Sequence, residues 1–210
     1  MAQILDANPS ERDAAVREAV KPGRIIVVRH GRPNLSRNCL LTANEYEAWW
    51  RAYDESGLAN GERPPDRLVA LAREAHHIYS STLPRAHETA KTLANGRDVK
   101  IDELFVEVPL PRPPLPLVRC NPTNWGWIAR TFWTLGYSPG LEGVVDAARR
   151  ANEAADRLIE VASAGGTVLL CAHGFMNWMV SVALRGKGWR RIYNGGFAYW
   201  SWREFERRRR

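Results

Sequence analysis

Two short uninterrupted apolar runs, Ile25–Val28 and Val168–Ala172, stand out from an otherwise amphipathic chain. Runs of this length without alternation belong to strands buried on both faces of a parallel sheet. They predict strands over Arg24–Val28 and Thr167–Ala172. Helical periodicity fills much of the rest. Ser10–Val20 reads as a helix that Lys21-Pro22-Gly23 stops, and Thr42 with Glu45 forms a capping box. Behind that box Tyr46, Trp49, Trp50 and Tyr53 recur at helical spacing. Pro64–Ala75 is a third helix, His77–Ser80 a strand, and Thr82–Leu93 a helix with Thr82 as its N-cap. Val99–Glu107 reads as extended. Asn124–Leu135, Leu141–Ala164 and Phe175–Leu184 are predicted helices, and Gly196–Arg203 a closing strand. Strands alternating with helices predict an α/β fold, a three-layer α/β/α sandwich around a mostly parallel sheet.

Between Val108 and Pro122 stand six of the 13 prolines, which forbids a regular helix or a central strand there. The length of 210 residues suits one domain over residues 1–210. In it, 108–140 is a Pro/Trp-rich insertion near the active site and 204–210 a basic, solvated tail. Apolar residues make up 45% and charged ones 25%, a globular composition that argues against disorder. No apolar run is long enough to span a bilayer, and the opening MAQILDANPSERD lacks a basic segment leading into an apolar one. The expectation is a cytoplasmic protein without a membrane partner. The net charge of +7 owes much to four terminal arginines, so charge alone does not argue for nucleic acid. Cys39, Cys120 and Cys171 include no CxxC, as expected of reduced thiols.

Both strongly apolar strands end the same way, as Val28-Arg29-His30-Gly31 and Ala172-His173-Gly174. Ligands of open α/β sheets bind beyond the carboxyl ends of the strands. A polar imidazole there, followed by a residue without a side chain, suits a crevice that a substrate enters closely. A third strand–helix junction, Ser80-Ser81-Thr82-Leu83-Pro84-Arg85-Ala86, puts Arg85 in a first helical turn. A cation is unfavourable to the helix dipole in that position, and a bound anion would offset it.

Arg29-His30-Gly31, the Ser81–Ala86 segment followed by Thr89-Ala90, and the late His173-Gly174 together resemble the histidine phosphatase superfamily, which includes the phosphoglycerate mutases. The resemblance spans about residues 24 to 185. It implies a fold of the kind already expected, with His30 as a nucleophile that becomes phosphorylated and Arg29, Arg85 and His173 as the rest of a phosphate pocket. Asp102–Glu107 resembles the family segment that ends in the general acid, and Glu107 takes its final position, with Glu103 as a rival. Flanked by Val106 and Val108-Pro109, Glu107 would be desolvated and so hold its proton.

The chemistry of the residue types agrees. A neutral imidazole can attack phosphorus, and two guanidinium groups offer forked donors to phosphoryl oxygens while disfavouring protonation of His30. Two cations beside two imidazoles are a poor zinc site, and no HExxH stands in the chain, so neither metal nor other cofactor is expected. Mutase members carry an acidic residue after the first motif and a Trp-Asn beyond it. Here the chain reads Arg32-Pro33-Asn34-Leu35-Ser36, with Ser36 where that Asn would fall. The expectation is therefore a metal-independent phosphomonoesterase acting on a phosphorylated small molecule or phosphoprotein. A mutase or a non-catalytic phosphate-binding protein are the alternatives; substrate and oligomeric state stay open. His76, His77 and His87 lack the strand–His–Gly setting and read as structural or solvated. Trp49 and Trp50 read as packing, and Trp125, Trp127 and Trp133 as core residues that could instead roof the pocket.

Overall fold

A computed structural model describes residues 23–208; the expected helix Ser10–Val20 lies outside them. Six strands form one mixed sheet: β1 (Ile25–Arg29), β2 (His77–Ser80), β3 (Lys100–Ile101), β4 (Val168–Ala172), β5 (Trp189–Asn194) and β6 (Trp202–Arg207). Their order is β3-β2-β4-β1-β6-β5. The first four are mutually parallel, and β6 runs antiparallel to both β1 and β5. Among the described residues the α-helices are α1 (Ala43–Glu55), α2 (Asp66–Glu74), α3 (Pro84–Ala94), α4 (Pro122–Thr134), α5 (Val144–Ser163) and α6 (Gly174–Gly186).

The apolar runs are buried on both sides because each strand sends alternate residues to opposite faces. Ile25 and Val27 of β1, with Val168 and Leu170 of β4, join the buried residues of α5 and α6. Ile26, Val28, Leu169 and Cys171 join those of α2 and α3 on the other face. Five alanines of α5 (147, 151, 154, 155 and 162) are buried, and their small side chains let that helix lie close to the sheet. A third cluster joins Tyr46, Trp49 and Tyr53 of α1 to Trp125 and Ala129 of α4, with Leu110 and Leu115 of the proline segment packed against it.

Local chemistry sets the ends. Thr42 and Glu45 form the expected capping box on α1. On α3, however, Leu83 rather than Thr82 is the cap, and Pro84 opens the helix, since its fixed φ is already helical and it has no N–H to lose. The stretch Val99–Glu107 is extended only at Lys100–Ile101 and then forms a 3-10 turn at Glu103–Phe105, which the Asp102 side chain caps by accepting from Leu104 N.

The C-terminal region differs most from the sequence-based expectation. The last strand is Trp202–Arg207, not Gly196–Arg203, and β5 was not expected. β5 alternates poorly because it is an exposed sheet edge rich in arginine, a common defence against further strand pairing. Nor is 204–208 a solvated tail. Glu204 and Phe205 are buried in β6, Arg207 pairs with Trp189, and Arg208 N–H donates to Gly188 O. Hydrogen bonding on both sides of β6 overrides the solvation its charges would favour.

Candidate active site

Three neighbouring parallel strands, β2, β4 and β1, end side by side. Beyond their carboxyl ends the structure brings together Ser81, His173, Arg29 and His30. Main-chain bonds fix the frame: His30 N–H donates to Ala172 O and Ser81 N–H to Cys171 O. The His30 and His173 rings stand with their centroids 5.3 Å apart, and both side chains are buried.

His30 is oriented by its own neighbour. Its Nδ1 lies 2.7 Å from Gly31 O. A carbonyl can only accept, so Nδ1 carries the proton and a neutral ring presents Nε2 as a bare lone pair. Burial first, then Arg85 and Arg29, hold its pKa well below the ordinary 6.5; Arg37 adds to this, and the Gly31 bond opposes it only in part. His173 is likewise held below its ordinary value by burial, Arg85, His30 and Arg29. Both rings are thus kept neutral at physiological pH. Nε2 of His173 shares a 2.6 Å hydrogen bond with the Ser81 hydroxyl, which also accepts from Leu83 N.

Close approach requires the first of the two glycines. A Cβ on Gly31 would stand 2.5 Å from the Trp200 ring, whereas one on Gly174 would stand 3.4 Å from Arg29 Nε, at the edge of ordinary contact. Trp200 itself has φ 60°, a strained value for a bulky residue. Its indole N–H donates to Glu62 at 2.7 Å and its N–H to His30 O, contacts that hold the turn against the site.

Arg85 is 1% exposed, so it is no surface residue. Its guanidinium donates to Tyr53 O at 2.7 Å and to Asp54 at 3.0 Å and lies 4.4 Å from the Tyr53 ring centre. Arg29 donates to Phe197 O and stacks 4.7 Å from the Tyr199 ring. Among the described residues, Nε of Arg29, Arg37 and Arg85 and Nδ1 of His173 are buried without a hydrogen-bond partner.

Glu107 sits differently from the expectation. Instead of being enclosed by apolar neighbours, its carboxylate accepts from Phe175 N at 3.2 Å and Met176 N at 2.9 Å, as well as from its own neighbour Val108 N. It therefore occupies the N-terminus of α6, directly after His173-Gly174, where a negative charge is favoured by the helix dipole. Glu103 is exposed and lines the same cleft as Glu107.

Sequence reasoning missed four residues. Arg37 donates to the Tyr53 hydroxyl at 2.9 Å and lies 5.0 Å from that ring and 6.0 Å from the Tyr199 ring. Tyr199 stands 5.7 Å from the His30 ring. Burial first, then the facing Tyr53, pushes the pKa of its phenol up. Asp54, the partner of Arg85, lies in the cleft beside Glu107. Tyr53 was visible only as part of a helical stripe, and Arg37 only as one basic residue in the Arg32–Asn38 run. Tyr199 left no local signal. Ser36 is exposed; its carbonyl accepts from Trp49 Nε1 and its hydroxyl from Asn38 N. Trp125 and Trp133 are core residues and Trp127 is exposed, so none of the three roofs the site.

No group of three or more His, Cys, Asp or Glu side chains able to hold a metal occurs among the described residues. No described helix is long and apolar enough to cross a membrane.

Several solved structures share this fold. The chain is similar to mycobacterial glucosyl-3-phosphoglycerate phosphatase, with 23% identity, 87% of this chain and 89% of that one covered, and a TM-score of 0.56. It is similar to the ecdysone phosphate phosphatase of Bombix mori, with 14% identity, coverage of 87% and 88%, and a TM-score of 0.53. Phosphoserine phosphatase of Entamoeba histolytica is more distant, at 17% identity, coverage of 78% and 80%, and a TM-score of 0.50. No curated protein sequence gives a significant match. The family model of the histidine phosphatase superfamily (branch 1) matches residues 25–210, which include every strand of the sheet, and the chain belongs to that superfamily.

Proposed function

We propose that this protein is a metal-independent phosphomonoesterase that works through a phosphohistidine on His30. The observation that carries this reading is the state of His30: a buried ring with its proton committed to Gly31 O, and three guanidinium groups acting on it. Nε2 of His30 attacks phosphorus, the P–O bond to the leaving alcohol breaks, and water later cleaves the P–N bond. Arg29, Arg85 and His173 bind the phosphoryl oxygens on which charge builds up in transfer. Arg37, which no motif suggested, adds a third guanidinium. Glu107 takes up the proton that a monoanionic phosphomonoester brings and passes it to the departing oxygen. The turn at 195–201 closes the pocket over His30 through Tyr199. In this reading one domain in a three-layer sandwich carries the whole site, and the 108–140 segment walls its leaving-group side. The phosphatases that share the fold are named for phosphorylated small molecules, sugar-linked glycerate, steroid and amino acid among them, and a small-molecule ester is the substrate class favoured here. A cytoplasmic setting suits its free thiols.

The decisive test is chemical trapping. Protein quenched during turnover should carry acid-labile, alkali-stable phosphate, and vanadate should inhibit while EDTA leaves the rate unchanged. Loss of activity on chelation, restored by one divalent metal, would overturn the mechanism.

A further inference from the structure

Two cavities open beside the catalytic residues and share Trp50, Asp54 and Pro109, so they form one cleft. The inner chamber, about 480 Å³, runs from Thr82 and Leu83 past Glu107 to Glu142. The outer one, about 550 Å³, lies between α1, the proline segment and the turn at 137–141. The inner chamber adjoins the site on three sides: Thr82 follows the Ser81 that bonds His173, Asp54 holds Arg85, and Glu107 caps the helix after His173. An alcohol leaving the phosphorus on the Glu107 side departs into it.

The charge inside this chamber is net negative. Asp54, Glu103, Glu107 and Glu142 line it. Asp54 is paired with Arg85, whereas Glu103 and Glu107 have no salt-bridge partner among the described residues, and the one lining guanidinium is Arg150. That guanidinium is already committed, donating to both oxygens of Glu142 at 2.8 and 2.6 Å and to the carbonyls of Leu104 and Val106. The outer chamber presents apolar surface, with Trp50 half-buried on one wall and Leu110, Tyr137 and Leu141 around it. Its Arg112 is tied to Asn44 and Glu47, and Arg51 is exposed at its edge, so the negative charge belongs to the inner chamber.

Resting on the phosphatase reading, we infer that the cleft selects phosphomonoesters whose alcohol bears no anionic group next to the ester and presents a ring or apolar face to Trp50. A carboxylate or second phosphate near the ester would be placed against Glu103 and Glu107, the two lining carboxylates that no side-chain cation pairs, and like charges at close range repel. A ring reaching the outer chamber would gain stacking on Trp50 and contact with the proline wall.

The test compares kcat/KM for 2-phenylethyl phosphate, glycerol 3-phosphate and 3-phosphoglycerate, with p-nitrophenyl phosphate as the general substrate. The ring ester should exceed glycerol 3-phosphate by roughly tenfold, the scale of one good aromatic contact, and 3-phosphoglycerate should fall below both. Trp50→Ala should bring the ring ester close to glycerol 3-phosphate, mainly through KM. Glu103→Lys, at an exposed position, should raise 3-phosphoglycerate relative to glycerol 3-phosphate. Turnover of p-nitrophenyl phosphate together with equal or better use of the carboxylated ester would overturn this inference and leave the phosphatase reading standing. No turnover of any ester by the wild-type protein would overturn both.

Discussion

The chain uses one local design twice, a buried strand ending in His-Gly, and the two copies reach opposite settings. After β1 the chain leaves His30 into an irregular loop, and the ring's Nδ1 donates to Gly31 O. After β4 it turns at once into α6, with His173 in an extended conformation at the cap position and the Ser81 hydroxyl on Nε2. Gly31 gives way to an indole ring, Gly174 to a guanidinium. The Glu107 carboxylate sits on the helix that follows His173. One copy therefore presents a free ring nitrogen beneath cations, and the other combines a held imidazole with an acid. The same local sequence acquires different chemistry from whatever follows it and packs on it.

The largest effect that would sharpen this contrast is His30→Ala, which should abolish turnover and the trapped phosphate while the circular dichroism spectrum stays native. Equal residual activity in His30→Ala and His173→Ala would break it, because the two imidazoles would then be interchangeable. Next comes Glu107→Gln, expected to slow alkyl esters by roughly 10²–10⁴, the range for a positioned acid. Aryl esters, whose leaving groups depart without help, should lose much less. If Glu103→Gln or Asp54→Asn shows that leaving-group dependence instead, the acid has been misplaced within the cleft.

The glycines should differ in stability. Gly31→Ala meets a packed indole held by Glu62 and should cost about 1–3 kcal/mol, as overpacking usually does. Gly174→Ala meets the flexible side chain of Arg29 at 3.4 Å, the edge of ordinary contact, and should cost less in urea melts while impairing phosphate binding. The smallest effect concerns pH. Because both histidines have folded pKa values depressed below 6.5, the unfolded chain binds more protons as pH falls through and below that value, and stability should fall with it. The melting temperature should drop between about pH 7 and pH 5, and the slope should be shallower in His30→Gln. An unchanged slope would mean that His30 is not held neutral by the fold.

Much of the parallel part of the sheet could be read from the chain. An uninterrupted apolar run can be satisfied only by burial on both faces, and a capping box closes its own hydrogen bonds, so Ile25–Arg29, Val168–Ala172 and the start of α1 carried their structure in local sequence. β5 and the true limits of β6 did not. Their residues are polar or aromatic at an edge and a penultimate position, and the pairing of β6 with β1 depends on a partner more than 170 residues away.

The residue types fixed the chemistry that the strand ends could perform: imidazoles, arginines and a carboxylate at three turns. They could not fix which charges meet. Arg37, Asp54 and Tyr199 come from a loop, the end of a helix and a strained turn. They converge on His30, Arg85 and Arg29 only because the α1 cluster and the antiparallel β6 bring those segments over the ends of the parallel strands. Periodicity records the face that a residue buries. It carries no record of contacts across the fold, and those contacts decide how the protons and charges of the site are shared.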